Sequence, residues 1–165
     1  MVRKARIDDL GAITEIYNHA VVNTAATLDI EQKTVEEQRI WFEEHGARAP
    51  ILVAEEDGRV VAWASLSQWS RRGGYSDTAE VSVYVREGYR GKGIGRNLTK
   101  KILEAGKDAG LHAVIARITE GSETSIRLFE SLGFTHVGVM REVGRKFGKL
   151  LDVRVMQKIL STPRK

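Results

Sequence analysis

The residues from Glu80 to Arg96, EVSVYVREGYRGKGIGR, bring together a carboxylate, a β-branched alternation, a basic glycine-rich turn and a helix start. Val81, Val83 and Val85 alternate with Ser82 and Tyr84, the period of a β-strand. From Ile94 the apolar spacing becomes helical, through Leu98, Ile102, Ala105 and Ala109. Between the two lies Arg90-Gly91-Lys92-Gly93-Ile94-Gly95. A helix start offers unpaired N–H groups and the positive end of the helix dipole, and glycine admits a close anion. Arg90, Lys92 and Arg96 add fixed charge, so the segment reads as a phosphate-binding element. It is not a P-loop, because Lys92 is followed by Gly93 rather than Ser or Thr. It is not a dinucleotide fingerprint either: Gly91, Gly93 and Gly95 give G-x-G-x-G, and the third spacing fails.

The elements that must position this segment alternate along the chain. A strand over Val2–Arg6 precedes helices over Ile7–Val22, with Asp8 as N-cap, and Thr34–His45, opened by the capping-box pattern Thr34-Val35-Glu36-Glu37. Ile51–Glu55 and Arg59–Ser67 form a hairpin turned at Asp57-Gly58. After the Val85 strand and the Ile94 helix come a short strand over His112–Ile118 and a helix over Ser122–Leu132, capped by Ser122 and stopped by Gly133. Phe134–Val143 and Lys149–Leu160 close the chain as two strands around Phe147-Gly148. The order β-α-α-β-β-β-α-β-α-β-β implies an α/β (α+β) fold, a mixed, mostly antiparallel sheet with helices on both faces.

At 165 residues and 42% hydrophobic, with prolines only at 50 and 163, the chain is expected to form a single domain over 1–165. The absence of cysteine excludes disulfides, thiolate nucleophiles and cysteine metal sites. Histidines 19, 45, 112 and 136 lack metal-ligand spacing, so no metal is expected. No apolar run approaches the roughly 20 residues of a membrane helix, and the N-terminal residues lack an apolar signal region, so a cytoplasmic protein without membrane contact is expected. The net charge is +4, concentrated at Arg71-Arg72, Arg90–Arg96 and the 163–165 tail, without interleaved aromatic residues. That pattern suits an anionic cofactor better than nucleic acid.

Arg90, Gly93 and Gly95 match the signature Arg/Gln-x-x-Gly-x-Gly/Ala of the GNAT acetyltransferases, which this segment resembles. The element order is also that of the GNAT fold. The chain is similar, more narrowly, to the phosphinothricin and methionine sulfoximine N-acetyltransferase branch over Ile16–Ala20, Thr24–Asp29, Val53–Glu55, Tyr75–Val85, Ser125–Phe134 and the late segment from Arg141-Glu142-Val143-Gly144 to Asp152-Val153. The resemblance implies acetyl-CoA as co-substrate, a small-molecule amine as acceptor and a homodimer. It implies that Arg90, Gly91, Lys92, Gly93, Ile94, Gly95 and Arg96 hold the pyrophosphate, and that the backbone of Val83, Tyr84 and Val85 pairs with the pantetheine arm and supplies an oxyanion donor.

An amine is protonated near pH 7 and must lose a proton before it attacks. Glu80 shares a strand face with Ser82 and Tyr84, and burial there would raise its pKa toward a useful value. Spacing alone leaves a strand-edge carboxylate paired with Arg71 or Arg72 as an equal reading; the resemblance favours the base. Three departures stand out. Where relatives carry tyrosine or histidine to protonate the leaving thiolate, this chain has Phe129, which leaves Tyr84, water or no acid at all. Where an asparagine is common at the start of that helix, Ser122 stands, as a cap or a cofactor contact. Leu150-Leu151 replaces a tryptophan-histidine pair in a region that shapes the pocket.

Arg71, Arg72 and Tyr75 precede the Glu80 strand, and an arginine there can grip an α-carboxylate; a solvated basic loop is the equal alternative. Thr27 and Trp69 are candidates for the same cleft. The expected reaction is direct acetyl transfer in a ternary complex to a phosphinothricin-, methionine sulfoximine- or methionine sulfone-like amino acid. Another amine, such as a polyamine or a protein N-terminus, and a non-catalytic acyl-CoA-binding module are the alternatives.

Overall fold

The computed structural model describes residues 1–160. Among the described residues seven strands form one sheet: β1 (Val2–Lys4), β2 (Ile51–Glu56), β3 (Arg59–Gln68), β4 (Thr78–Val85), β5 (Ala113–Thr119), β6 (Thr135–Lys146) and β7 (Lys149–Ile159). Four helices accompany them: α1 (Leu10–Asn23), α2 (Val35–Glu44), α3 (Ile94–Asp108) and α4 (Glu123–Ser131). The strand order is β1-β2-β3-β4-β5-β7-β6, and every pair is antiparallel except β4 with β5. The expected element order and sheet type are therefore those of the molecule.

Alternation along the strands divides the core into two. Ala79 and Val81, with Val83 and Val85 packed alongside, face α3 and α4 through Leu98, Ile102, Ile126 and Phe129. The opposite face packs Trp63 and Tyr84 against Ile13, Ile16 and Tyr17 of α1 and Trp41 of α2. Glu80 and Ser82 share that second face with Tyr84, so the sheet carries an apolar side and a side that mixes aromatic with polar groups.

Local chemistry explains most boundaries. Asp57 (φ 50°) and Gly58 (φ 76°) are both left-handed, as a two-residue hairpin turn demands, and so are Phe147 (φ 53°) and Gly148 (φ 72°). Thr34 and Glu37 form the capping box reciprocally, with Glu37 N–H donating to Thr34 Oγ1 at 3.1 Å and Thr34 N–H to Glu37 Oε2 at 3.0 Å.

Three expectations need correction. The segment Ile7–Asp9 is a 3₁₀ turn, and the α-helix begins at Leu10. Its anchor is Asp9 rather than the exposed Asp8: the Asp9 carboxylate accepts Arg6 N–H at 2.7 Å and the Arg3 guanidinium at 2.8 and 2.9 Å. Ser122 occupies the N-cap position of α4 but its hydroxyl caps nothing. Strand β6 runs to Lys146, past Val143, because a bulge between Met140 and Gly144 absorbs the irregular residues, with Glu142 N–H held by Asp152 Oδ1 at 2.7 Å. The Pro163–Lys165 cluster lies outside the described residues.

Candidate active site

Strands β4 and β5 are paired only at their starts, Thr78 with Ala113, Ala79 with Val114 and Glu80 with Ile115. Beyond Glu80 they part, while β4 stays on β3 through Val85 and β5 stays on β7 through Thr119. The β3 ladder is bracketed by bonds from Trp69 N–H to the Thr78 carbonyl and from Arg86 N–H to the Val61 carbonyl. In that register Ser67 with Glu80, Ser65 with Ser82 and Trp63 with Tyr84 are the hydrogen-bonded pairs. The amide of Val81 consequently turns to β5, those of Val83 and Val85 face the gap, and Tyr84's faces β3. Of the three residues expected to offer backbone donors, Val83 and Val85 are turned to do so.

The gap leads to the basic turn. Gly88 (φ 88°), Gly91 (φ 76°) and Gly93 (φ 81°) are left-handed, and Gly93 is the N-cap of α3. A Cβ at any of the three would meet nothing within 4 Å, so backbone conformation rather than crowding selects glycine there. Gly95 is different: its Cβ would lie 3.4 Å from Val85 Cγ2, where α3 packs on β4. Arg90 donates to the Val85 carbonyl at 3.3 Å and Lys92 sits 5.1 Å from the Tyr89 ring centre. Among the described residues none of Arg90, Lys92 and Arg96 has an acidic partner, whereas Arg3, Arg48, Arg86, Arg117 and Arg154 all do. A helix N-terminus with three uncompensated cations at the mouth of a half-open sheet suits a long ligand with an anionic middle. A surface cleft of about 280 Å³ lies on the other side of this turn, between α1 and Arg86–Tyr89; of the expected site residues only Val85 lines it.

On the second face, Glu80 stands where β4 and β5 begin to part, its side chain 23% exposed. Its partner is neither Arg71 nor Arg72. Arg117 of β5 holds it with a two-pronged pair, Nη2 to Oε1 at 2.9 Å and Nε to Oε2. This bond pushes the Arg117 guanidinium further toward its charged form, against some burial. The same guanidinium lies 5.6 Å from the Trp69 ring centre. Next to Glu80 across the ladder, Ser67 bonds His45 Nε2 at 3.0 Å; His45 Nδ1 is 2.6 Å from the Trp41 carbonyl, and burial lowers the imidazole pKa.

A polar cluster closes the far side. Tyr17 bonds Asp29, lies 3.1 Å from Thr27 Oγ1 and packs edge-on against Tyr84. Burial pushes the Tyr84 hydroxyl up to about 12. Lys146, only 5% exposed, donates to the Thr27 carbonyl at 2.8 Å, and burial lowers its pKa. Arg71 and Arg72 are exposed, and Tyr75 (46% exposed) ends a 3₁₀ turn over Gly73–Tyr75 just outside the sheet. Phe129 is buried against Phe134, ring centres 5.0 Å apart. Among the described residues no group of three acidic or histidine side chains is placed to hold a metal.

Arg117, His45 and Lys146 escaped sequence reasoning. Arg117 left one signal, as the only charge in the strand AVIARIT, two residues from the one that pairs with Glu80. Lys146 and His45 left none, since Lys146 is buried against Thr27, 119 residues away, and His45 reaches the site only through Ser67, 22 residues on.

A half-open sheet with a basic, glycine-rich turn at its mouth and a carboxylate at the fork is the arrangement expected of an acyl-CoA-dependent transferase. The profile of the acetyltransferase (GNAT) family matches residues 13–134, and the chain belongs to that family of acetyltransferases. It is 41% identical over 157 residues to the L-amino acid N-acyltransferase MnaT of Escherichia coli, covering 94% of this chain and 91% of that one. It is likewise 41% identical over 157 residues to the L-methionine sulfoximine/L-methionine sulfone acetyltransferase of Salmonella typhimurium, with 94% and 92% covered. A phosphinothricin acetyltransferase from Sinorhizobium meliloti, solved in complex with acetyl-CoA, superposes with a TM-score of 0.95 at 32% identity over 100% of this chain and 93% of that one.

Proposed function

We propose that this protein transfers acetyl from acetyl-CoA to the α-amino group of a small amino acid of the methionine sulfoximine, methionine sulfone or phosphinothricin type. The observation that carries the reading is the position of Glu80 on the acceptor face at the fork, beside the outward amides of Val83 and Val85. The Arg90–Arg96 turn binds the pyrophosphate, and Ser122, whose hydroxyl caps nothing, sits at the end of β5 where it can add a contact. Acetyl-CoA supplies an acetyl group already activated as a thioester. Glu80, directly or through a water, takes the proton from the ammonium. As the C–N bond forms, the Val83 amide donates to the carbonyl oxygen while the Val85 amide holds the pantetheine arm, and the C–S electron pair leaves on sulfur. Arg71, Arg72 and Tyr75 flank the acceptor's entry.

The acting form is a homodimer. Strand β6 is an edge strand with Val137, Val139, Met140 and Val143 between 38% and 58% exposed, a row that a second copy would cover.

The test is thiol release from acetyl-CoA against methionine sulfone, methionine sulfoximine, phosphinothricin, ordinary amino acids, spermidine and a short peptide. Turnover confined to the first three, abolished about 100-fold or more by Glu80→Gln with acetyl-CoA affinity kept within about twofold, is the expected result. Tight acetyl-CoA binding without turnover of any amine would favour a binding module.

A further inference from the structure

We infer that Arg117 binds the acceptor's α-carboxylate, and that this carboxylate takes over the place Glu80 holds on the guanidinium, so that substrate binding frees the base. The inference rests on Glu80 acting as the base. In the structure both Glu80 oxygens accept from Arg117, at Nη2 and Nε, which fills one lone-pair site on each oxygen and fixes the carboxylate on the guanidinium. A base held in this way turns to the amine only when an event loosens it.

The geometry supplies one. Arg117 is two residues past Ile115, the last β5 residue paired to β4, and alternation puts it on Glu80's face at the lip of the fork. Of the two partners the arginine is the open one, 51% exposed against 23% for Glu80, so a carboxylate from solvent meets Arg117 first. Trp69, stacked on the guanidinium, keeps its fork in place while partners change. Replacing one carboxylate by another conserves the charge pair and both hydrogen bonds, so the exchange is close to neutral for Arg117. It also sets the α-amino group, one carbon from the bound carboxylate, beside the released Glu80. An amine without a carboxylate leaves Glu80 on Arg117. The acceptor class is thus read by the residue that restrains the base. Arg71 and Arg72 sit outside the sheet and touch neither oxygen of Glu80.

The experiment compares methionine sulfone with its carboxamide in the wild type, Arg117→Met, Arg117→Lys and Glu80→Gln, by thiol release, with acetyl-CoA affinity from calorimetry as the check of folding. The wild type is expected to prefer the acid by about 100-fold in kcat/KM, the scale of a two-pronged charged pair. Arg117→Met should change kcat/KM for the acid by only a few-fold, because the exchange it abolishes is close to neutral, while the amide, which no longer has to break the Glu80 pair, gains by about the factor it lacked, so that the preference falls below about threefold. Arg117→Lys should lie between, since an ammonium cannot fork. A preference that survives Arg117→Met, or an equal fall for acid and amide, overturns the inference. If Glu80→Gln abolishes turnover while Arg117→Met keeps the preference, the base stands and only the role of Arg117 fails, with Arg71 or Arg72 as the next candidates. If Glu80→Gln leaves turnover intact, base and exchange fall together.

Discussion

Replacing Gly93 and Gly95 separately by alanine asks what each glycine of the phosphate turn is for. Gly93 holds φ 81° as the N-cap of α3, with open space around its absent Cβ. An L-residue in that region costs about 1–2 kcal/mol. Gly95 is inside α3 with ordinary helical φ, and its Cβ would meet only Val85 Cγ2 at 3.4 Å. Alanine also favours a helix interior by about 1 kcal/mol over glycine, which offsets that tight contact. Gly93→Ala should therefore lower the unfolding free energy by about 1–2 kcal/mol, or weaken acetyl-CoA binding about 5- to 30-fold if the turn relaxes instead. Gly95→Ala should leave both nearly unchanged. Urea denaturation and calorimetric titration of acetyl-CoA read the two quantities. The contrast also accounts for the GNAT signature's tolerance of alanine at the second of these positions and not the first. If Gly93→Ala matches the wild type in both assays, or if Gly95→Ala is the more damaging, the assignment of the turn's strain to Gly93 is wrong.

Asp9→Asn should destabilise the fold by about 3 kcal/mol near pH 7, because it breaks a largely buried pair with Arg3. Arg3 holds the Asp9 pKa below its ordinary value, so the stabilisation is complete above about pH 4 and disappears as pH falls through the lowered folded value; wild-type and variant urea curves should converge there. Thr34→Ala, which removes one half of the α2 capping box, should cost about 1 kcal/mol in the same assay without changing kcat. Val139→Lys on the exposed edge of β6 should shift sedimentation from dimer to monomer while far-ultraviolet circular dichroism stays unchanged. Phe129→Tyr should lower the melting temperature by a few degrees, since its hydroxyl enters an apolar cluster, and should leave kcat within about twofold.

The legible parts of this chain were those written in local chemistry. The β4 alternation, the Asp57-Gly58 turn, the Thr34 box and the Gly133 stop each depend on a few adjacent residues, and each falls where the sequence puts it. The misreadings came where two local answers compete. Asp8 and Asp9 are equally good caps on paper, and the choice is made by Arg3, which reaches Asp9 from β1. The partner of Glu80 illustrates a second limit. Arg71 and Arg72 are near in sequence, but Arg117 is near in space because β5 lies parallel to β4, a pairing that only the crossover through α3 creates. Lys146 is buried by Thr27, 119 residues away. No periodicity carries that information.

The same long-range packing bears on how the transferred group leaves. Phe129 is in the α3-side core, 6% exposed, and carries no proton. Tyr84 is on the other face, beneath Tyr17 and Trp63, with its hydroxyl pushed up to about 12. A thiol of ordinary pKa, about 8.5, is the stronger acid, so Tyr84 gives its proton to a thiolate only uphill. Of the two side chains closest to an acid's role, one has no proton and the other holds it too tightly. The thiolate is stable enough to leave as it is, and the burden of catalysis moves to the other end of the reaction, where a free amine must be made. On the proposed mechanism, the rate then depends on Glu80, and hence on the arginine that holds it.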